Sequence, residues 1–341
     1  MSDIFIETKG RAGRITLNRP KALNALTYAM CLEIEKALDA WRDDTSVEVV
    51  VIDAAGDKAF CAGGDIQEMY DTGITGDYSY GRTFWSDEYR MNAKIAEYPK
   101  PIIAFMQGFV MGGGVGVAGH CSHRVVCETS QIAMPEVGIG LVPDVGGTLL
   151  LSRAPGGMGE YLALTAARMG PGDALHAGFA DTFVPREYWL DLISQLEQNG
   201  DVTKIAEVAE TPPDAPLADK QERIDRLFEH GLDGIVSALE DDGSDFADVA
   251  LKAIRRNSPL AMAVALVNIG RAREVDEIRA VLGFEYEYTY RSMEHGDFLE
   301  GIRAAIVDKD RNPQWKYALG DVPISVVEEM TANLGPNALA L

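Results

Sequence analysis

The sequence predicts an α/β protein with a helical C-terminal region, on the basis of three observations. Short β-rich runs alternate with helical stretches over roughly the first 190 of 341 residues. Helical periodicity dominates after residue 222, where β-branched runs are scarce. The composition, 47% hydrophobic and 25% charged, is that of an ordinary globular protein. These features exclude a disordered or fibrous chain.

Each predicted element follows from a local pattern. Thr27 is a favourable N-cap, and the apolar side chains after it recur at helical spacing, which predicts a helix with one buried face. That apolar stripe consists of Cys31, Ile34, Leu38 and Trp41. The β-rich runs predicted as strands are 14–18, 47–53, 101–107 and 124–128.

A change in composition predicts the domain organisation. Residues 201–222 contain several prolines and acidic residues, which is typical of a linker or an exposed excursion. We therefore expect a core domain over residues 1–200, that linker, and a helical C-terminal region over residues 223–341.

The charge balance limits the partners of this protein. Lys and Arg total 31 against 53 for Asp and Glu, a net charge of −22, and such a field repels phosphate backbones and anionic lipid. Neither nucleic acid nor a membrane is therefore an expected partner. No apolar stretch approaches the ~20 residues that span a bilayer. The N-terminal residues resemble neither a signal peptide nor a transit peptide, so we expect a cytoplasmic protein.

One cluster suggests a metal site, and its spacing argues against it. His120, Cys121, His123 and Cys127 lie close together in sequence. The pattern matches no known zinc motif, and the residues between them are typical of a buried strand. We therefore expect these side chains to be packing residues and the protein to have no metal site.

Two glycine-rich segments follow candidate strands. The segments are 60–69 (FCAGGDIQEM) and 111–120 (MGGGVGVAGH). Glycines let the backbone approach a ligand closely, and a helix start presents free N–H groups to negative charge. If the two turns face each other, one N–H from each could form an oxyanion hole.

The second segment also contains a GxGxxG pattern, at Gly114, Gly116 and Gly119. A dinucleotide site normally needs that pattern in a βαβ unit of ~30 residues, with an acid after the next strand. Here the next β-rich run begins only about five residues after Gly119, so a nicotinamide cofactor is not expected.

The third glycine-rich segment, 134–147 (MPEVGIGLVPDVGG), carries two acids in otherwise uncharged surroundings. Glu136 and Asp144 are eight residues apart there. Partial desolvation would raise the pKa of each carboxyl group and prepare it for proton transfer or nucleophilic attack. The alternative is that each acid caps a turn or a helix, but two acids in so apolar a loop favour chemistry.

Together these motifs resemble the crotonase (enoyl-CoA hydratase/isomerase) superfamily. The similarity extends over nearly the whole chain, including RITLNRPKALNAL at 14–26 and DFLEGIRAAIVDKDRNPQW at 297–315. It implies a spiral of repeated ββα units. It also implies that the helical C-terminal region completes either the active site or the interface of an oligomer. A second copy of this chain, in a homo-oligomer, is therefore one possible partner.

The resemblance assigns binding roles to particular residues. It makes the backbone N–H groups of Gly64 and Gly113 an oxyanion hole for a thioester carbonyl. It places the CoA moiety mainly against backbone groups, and CoA, as part of the substrate, would be the only cofactor-like group. The residues of that cradle are Lys21, Ala22, Asn24, Ala25, Ala62, Asp65 and Ile66.

Two positions separate the branches of the superfamily. The resemblance places a glutamate of the hydratases where this chain has Gly116, and a glycine of the hydratases where it has Asp144. The Glu136/Asp144 pair instead resembles the pattern of the hydrolase branch of the superfamily. Glu88 falls where that branch has an acid facing the acyl pocket.

The implied activity is hydrolysis of a short 3-hydroxyacyl-CoA thioester. Glu136 would act as nucleophile or as general base, and the sequence leaves both open; Asp144 would orient the substrate hydroxyl or assist proton movement. An enoyl-CoA hydratase remains the alternative if an acid such as Glu88 takes the missing role. A non-catalytic acyl-CoA-binding protein is disfavoured because both carboxylates are present.

Overall fold

In a computed structural model, which describes residues 2–341, the chain forms nine β-strands and sixteen α-helices. The strands are β1 Ile4–Lys9, β2 Ala12–Leu17, β3 Val49–Ala54, β4 Ala59–Cys61, β5 Ile102–Met106, β6 Phe109–Met111, β7 His123–Val126, β8 Gln131–Ala133 and β9 Thr182–Phe183. The helices are α1 Tyr28–Arg42, α2 Gln67–Gly73, α3 Ser79–Ala96, α4 Gly113–Ala118, α5 Gly147–Arg153, α6 Met158–Thr165, α7 Pro171–His176, α8 Trp189–Asn199, α9 Lys204–Glu207, α10 Gln221–Phe228, α11 Leu232–Asp242, α12 Asp245–Ile254, α13 Pro259–Val275, α14 Ile278–Ser292, α15 Phe298–Ile302 and α16 Ile324–Met330.

The predicted elements of the first half are confirmed. Strands β2, β3, β5 and β7 overlap the four predicted runs, with ends that differ by one or two residues. Helix α1 begins directly after Thr27, whose side chain accepts a hydrogen bond from the N–H of Met30 at 3.2 Å. The predicted apolar stripe of α1 is buried.

The strands form two sheets within one compact unit, which comprises the described residues up to Asp65 together with Arg90–Ala133 and Arg168–Ala218. The larger sheet has the order β1-β2-β3-β5-β7-β9, and the smaller has the order β4-β6-β8. Apart from the antiparallel β1–β2 pair, neighbouring strands are parallel. Strand β3 is almost wholly apolar and buried, as expected for a parallel strand covered on both faces.

From β3 to β9, successive strands alternate between the two sheets. Strands β3, β5 and β7 lie in the larger sheet, and β4, β6 and β8, which follow them directly, lie in the smaller. A helix follows each pair along the chain, namely α2, α4 and, after a short 3-10 turn, α5. This order confirms the predicted α/β fold of repeated ββα units.

A second compact unit is helical and comprises Ile66–Tyr89, Met134–Ala167 and Asp219–Leu341. Its C-terminal part confirms the predicted helical region. Helices α13 and α14 are separate because Asp276, between them, adopts a left-handed conformation (φ 44°). Ring contacts such as that of Trp85 with Phe298, 5.5 Å between centroids, lie inside this unit.

The chain passes from the first unit to the second between Ala218 and Asp219, inside the segment 201–222. The second unit also takes two segments from the first 200 residues, so both units are discontinuous in sequence. The division into residues 1–200, 201–222 and 223–341 stays a prediction. Over the part of the chain that the structure describes, no helix is long and apolar enough to cross a membrane.

Candidate active site

Glu136 and Asp144 are both buried in the second unit. Glu136 opens a 3-10 turn, Glu136–Ile139, shortly after β8, and Asp144 lies just before α5. Their exposed fractions are 5% and 4%. Gly140 reverses the chain between them with φ +74°, and a Cβ there would lie 2.6 Å from the backbone of Asp297, so the turn needs glycine.

Asp144 is held by a tyrosine that the sequence analysis did not select. The hydroxyl of Tyr89, on α3, donates a 2.8 Å hydrogen bond to Oδ2 of Asp144. It also lies 3.4 Å from Oγ1 of Thr289, on α14. The tyrosine side chain is fully buried, and a hydrogen bond is stronger in such low-dielectric surroundings than in water.

Burial raises the pKa of both carboxyl groups. It raises the pKa of Asp144 to about 7, against a smaller opposing effect from the Tyr89 hydrogen bond. It raises the pKa of Glu136 well above its usual value, and the neighbouring charge of Asp144 raises it further. Glu136 Oε2 has no hydrogen-bond partner within residues 2–341, which leaves it available to a ligand.

Glu88 is a third buried acid near Asp144, and its place in the acyl pocket stays a prediction. It is only 4% exposed, and its Oε1 has no hydrogen-bond partner among the residues described. Burial, and then the charge of Asp144, raise the pKa of Glu88 well above its usual value. Asp144 therefore lies within electrostatic reach of both Glu88 and Glu136.

Glu285 is a fourth buried acid, and the sequence analysis missed it. Its carboxylate, on α14, accepts hydrogen bonds from the N–H groups of Gly146 at 2.7 Å and Thr148 at 3.0 Å. Burial and the charge of Asp144 raise its pKa to about 8. An acid within the aromatic run GFEYEYTY, 283–290, is the sequence signal that could have identified it.

The two glycine-rich turns lie at one edge of the smaller sheet, in the first unit. Strands β4 and β6 are parallel, with Cys61 opposite Val110, so the segments after them leave the sheet at the same end. A Cβ on Gly114 would lie 2.2 Å from the carbonyl oxygen of Cys61. The turns therefore contact each other, as the oxyanion-hole hypothesis requires.

Gly64 and Gly113 each present a backbone N–H with no acceptor among the described residues. Leu26 and Gly64 form a parallel β-bridge. Its hydrogen bonds run from the N–H of Leu26 to the carbonyl of Gly63 and from the N–H of Asp65 to the carbonyl of Leu26, so the N–H of Gly64 takes no part. Gly113 is the first residue of α4, where an N–H has no partner within the helix. Both groups are therefore available to a ligand oxygen.

Two side chains of the predicted CoA cradle, those of Asn24 and Asp65, make hydrogen bonds within the protein. Asn24, in a left-handed conformation (φ 55°), is fully buried and donates to the carbonyls of Ala55 and Ala59 at 3.0 and 2.9 Å. Asp65 accepts a 2.9 Å hydrogen bond from Arg19. Lys21 and Ala22 are exposed, on a 3-10 turn. Ala25 and Ala62 are half-buried, and Ile66 directly precedes α2.

Helix α4 carries Gly116, buried and without a side chain, where the hydratase pattern has an acid. The helix ends at Ala118 and β7 begins at His123. The GxGxxG glycines therefore do not lie in a βαβ unit of ~30 residues, which a dinucleotide site normally needs.

Within residues 2–341, no group of three or more His, Cys, Asp or Glu side chains is arranged to hold a metal ion. Cys121 Sγ instead donates to the carbonyl of Val117 at 3.3 Å, and burial raises the pKa of its thiol.

Comparison with known proteins identifies the relatives of this chain. A family model described as enoyl-CoA hydratase/isomerase matches residues 12–331. The mitochondrial 3-hydroxyisobutyryl-CoA hydrolase of Gallus gallus is 38% identical over 357 residues, covering 100% of this chain and 91% of the relative. The Homo sapiens protein of the same name is 37% identical over 330 residues, covering 93% of this chain and 84% of the relative.

Two solved structures match over the full chain. One, described as an enoyl-CoA hydratase from Rhodobacter sphaeroides, has a TM-score of 0.96 at 55% identity and full coverage of both chains. The other, described as a carnitinyl-CoA dehydratase from Mycobacterium thermoresistibile, has a TM-score of 0.95 at 40% identity, covering 100% of this chain and 99% of that one. The names of these relatives and structures describe different reactions, but each includes a CoA ester. From its motifs, its ββα repeats and these full-length matches, the chain belongs to the enoyl-CoA hydratase/isomerase family.

Proposed function

We propose that this protein hydrolyses the thioester of a short 3-hydroxyacyl-CoA, with 3-hydroxyisobutyryl-CoA as the preferred substrate. The observation that carries the proposal is the buried Glu136/Asp144 pair, in which one acid is free to react and the other is held by Tyr89. The names of the curated relatives, at 37–38% identity, support the same substrate.

In the proposed reaction, the N–H groups of Gly64 and Gly113 donate hydrogen bonds to the thioester oxygen and stabilise the charge that develops on it. Asp144 accepts a hydrogen bond from the 3-hydroxyl group of the substrate. CoA enters as part of the substrate, so the proposal needs no metal or redox cofactor.

Glu136 has two routes to the same products. As a nucleophile, its carboxylate attacks the carbonyl carbon, the C–S bond breaks, CoA leaves as a thiolate that takes up a proton, and water cleaves the resulting anhydride. As a general base, it removes a proton from a water molecule that attacks the carbonyl directly. Each route consumes one water and releases the free acid and CoA.

The second candidate is hydration of a short enoyl-CoA, and a specific observation favours it. Glu88 is a buried acid with an unpartnered oxygen, and it could supply the second acid/base group that Gly116 lacks. The solved structure at 55% identity is described as a hydratase. Asp144 argues for hydrolysis, since the resemblance gives hydratases a glycine there.

The deciding experiment compares the two reactions on one protein preparation. Thiol release is measured with 3-hydroxyisobutyryl-CoA, 3-hydroxypropionyl-CoA and isobutyryl-CoA, and hydration is followed by the absorbance of crotonyl-CoA. We expect the fastest thiol release from 3-hydroxyisobutyryl-CoA and little hydration. Rapid loss of crotonyl absorbance without thiol release would establish the hydratase instead.

Hydroxylamine separates the two routes of Glu136. An anhydride on Glu136 would be trapped as a hydroxamate, detectable by mass spectrometry in the peptide that contains this residue. A general-base route would leave that peptide unmodified during turnover.

A further inference from the structure

The turn that follows Asp144 has an unfavourable backbone conformation. Val145 has φ 54° and Gly146 has φ 77°, so two consecutive residues are left-handed. Glycine adopts this conformation readily, but a β-branched residue such as valine does so rarely and at a cost. Such a turn persists only where the surrounding structure holds it in place.

Three polar contacts are among those that hold this turn, and two of these three are local. The N–H of Gly147 donates to the carbonyl of Asp144 at 2.7 Å, and Oγ1 of Thr148 donates to the carbonyl of Pro143 at 2.8 Å. The third is the carboxylate of Glu285, which accepts from the N–H groups of Gly146 and Thr148. Glu285 is the only one of these partners that comes from a distant part of the sequence.

We propose that Glu285 is a positioning residue, whose carboxylate holds the left-handed Val145–Gly146 turn and thereby aims Asp144 at the 3-hydroxyl group of the substrate. This inference rests on the proposed function. Loss of these two hydrogen bonds would weaken the restraint on the turn, and the Asp144 side chain that precedes it would be held less firmly. A small displacement of such a group is enough to cost about a hundredfold in rate.

The test uses Glu285→Gln with Glu287→Gln as a matched control. Both residues are buried acids on α14, but Glu287 pairs with Arg271 at 2.7 Å and does not contact the turn. The readout is the ratio of kcat/KM for 3-hydroxyisobutyryl-CoA to that for isobutyryl-CoA. We expect Glu285→Gln to lower this ratio about tenfold and Glu287→Gln to leave it unchanged.

A double substitution separates positioning from a general structural role. In an Asp144→Asn background, the carboxylate that binds the substrate hydroxyl has already been replaced. Adding Glu285→Gln should therefore not lower the kcat/KM ratio further. Equal losses on both esters, or the same loss of ratio in both backgrounds, would overturn the proposal. If Glu285→Gln fails to fold, Glu285→Asp takes its place, since its shorter side chain cannot reach both N–H groups.

Hydrogen exchange provides a readout that does not depend on activity. Amide protection over residues 144–148 should fall in Glu285→Gln and stay unchanged in Glu287→Gln. Unchanged protection in both variants would overturn the inference even if the parent is an active hydrolase. If the parent releases no thiol while protection falls only in Glu285→Gln, the proposed function fails and the role of Glu285 in holding the turn stands.

Discussion

The hydroxyl of Tyr89 donates a 2.8 Å hydrogen bond to Oδ2 of Asp144, with both side chains buried. This bond favours the ionised form of Asp144 and opposes part of the effect of burial on its pKa, which is about 7. The charge of Asp144 in turn adds to the effect of burial in raising the pKa of Glu136 well above its usual value.

Tyr89→Phe should raise the pKa of Asp144 further, since it removes the hydrogen bond that lowers it. Hydrolysis of 3-hydroxyisobutyryl-CoA at pH 7 should fall about tenfold, because a buried hydrogen bond to a charged group is lost. The measurement is kcat/KM against pH, where the limb due to Asp144 should move to higher pH. Tyr286→Phe is the control, since that hydroxyl donates to the carbonyl of Arg82. An identical profile for parent and Tyr89→Phe would contradict the assignment.

Glu136→Gln should remove most turnover, by about 10²- to 10⁴-fold as for a positioned acid or base. Binding of a non-hydrolysable CoA thioether should change little, because the proposed CoA contacts are backbone groups. Steady-state kinetics and calorimetry measure the two effects. Glu160→Gln, which loses a pair with Arg273, is the control with intact activity. Near-full activity of Glu136→Gln would show that this acid is structural.

The charge on Asp144 should make the protein less stable as the pH rises. Its folded pKa, about 7, exceeds the unfolded value of 3.8, so between these values the unfolded state loses its proton first. The free energy of unfolding of the parent should therefore fall relative to Asp144→Asn from about pH 4 to pH 7, by up to a few kcal/mol, and then stay level. Urea unfolding at several pH values measures the difference. A difference that is constant with pH would show that the Asp144 pKa is not raised.

Exchanging the branch-specific residues should change the reaction. Asp144→Gly should reduce the preference for hydroxylated over plain esters by roughly 10- to 150-fold, the equivalent of a lost hydrogen bond of about 1.5–3 kcal/mol. Adding Gly116→Glu should raise crotonyl-CoA hydration above that of the parent, though below full hydratase rates. Gly116→Ala in the same background is the control for bulk in α4. Equal losses on hydroxylated and plain esters would place Asp144 in the bond-breaking step.

Local patterns predicted much of the fold and part of the site. The cap at Thr27 and the β-rich runs near β2, β3, β5 and β7 are short-range signals, and the structure has these elements. The paired acids 136 and 144 stood out because an uncharged, glycine-rich loop surrounds them. Such signals need no knowledge of distant contacts.

The sequence by itself thus determined the glycine turns, the acidic pair and the family to which the chain belongs. Only the tertiary structure showed that Tyr89 and Glu285 reach Asp144 and its turn, across 55 residues in one case and 139 in the other. A tyrosine or a glutamate on a helix has no local signature of the partner it meets. Burial, which sets the pKa of each acid, is likewise a property of packing from all sides, and it exists only once the chain has folded.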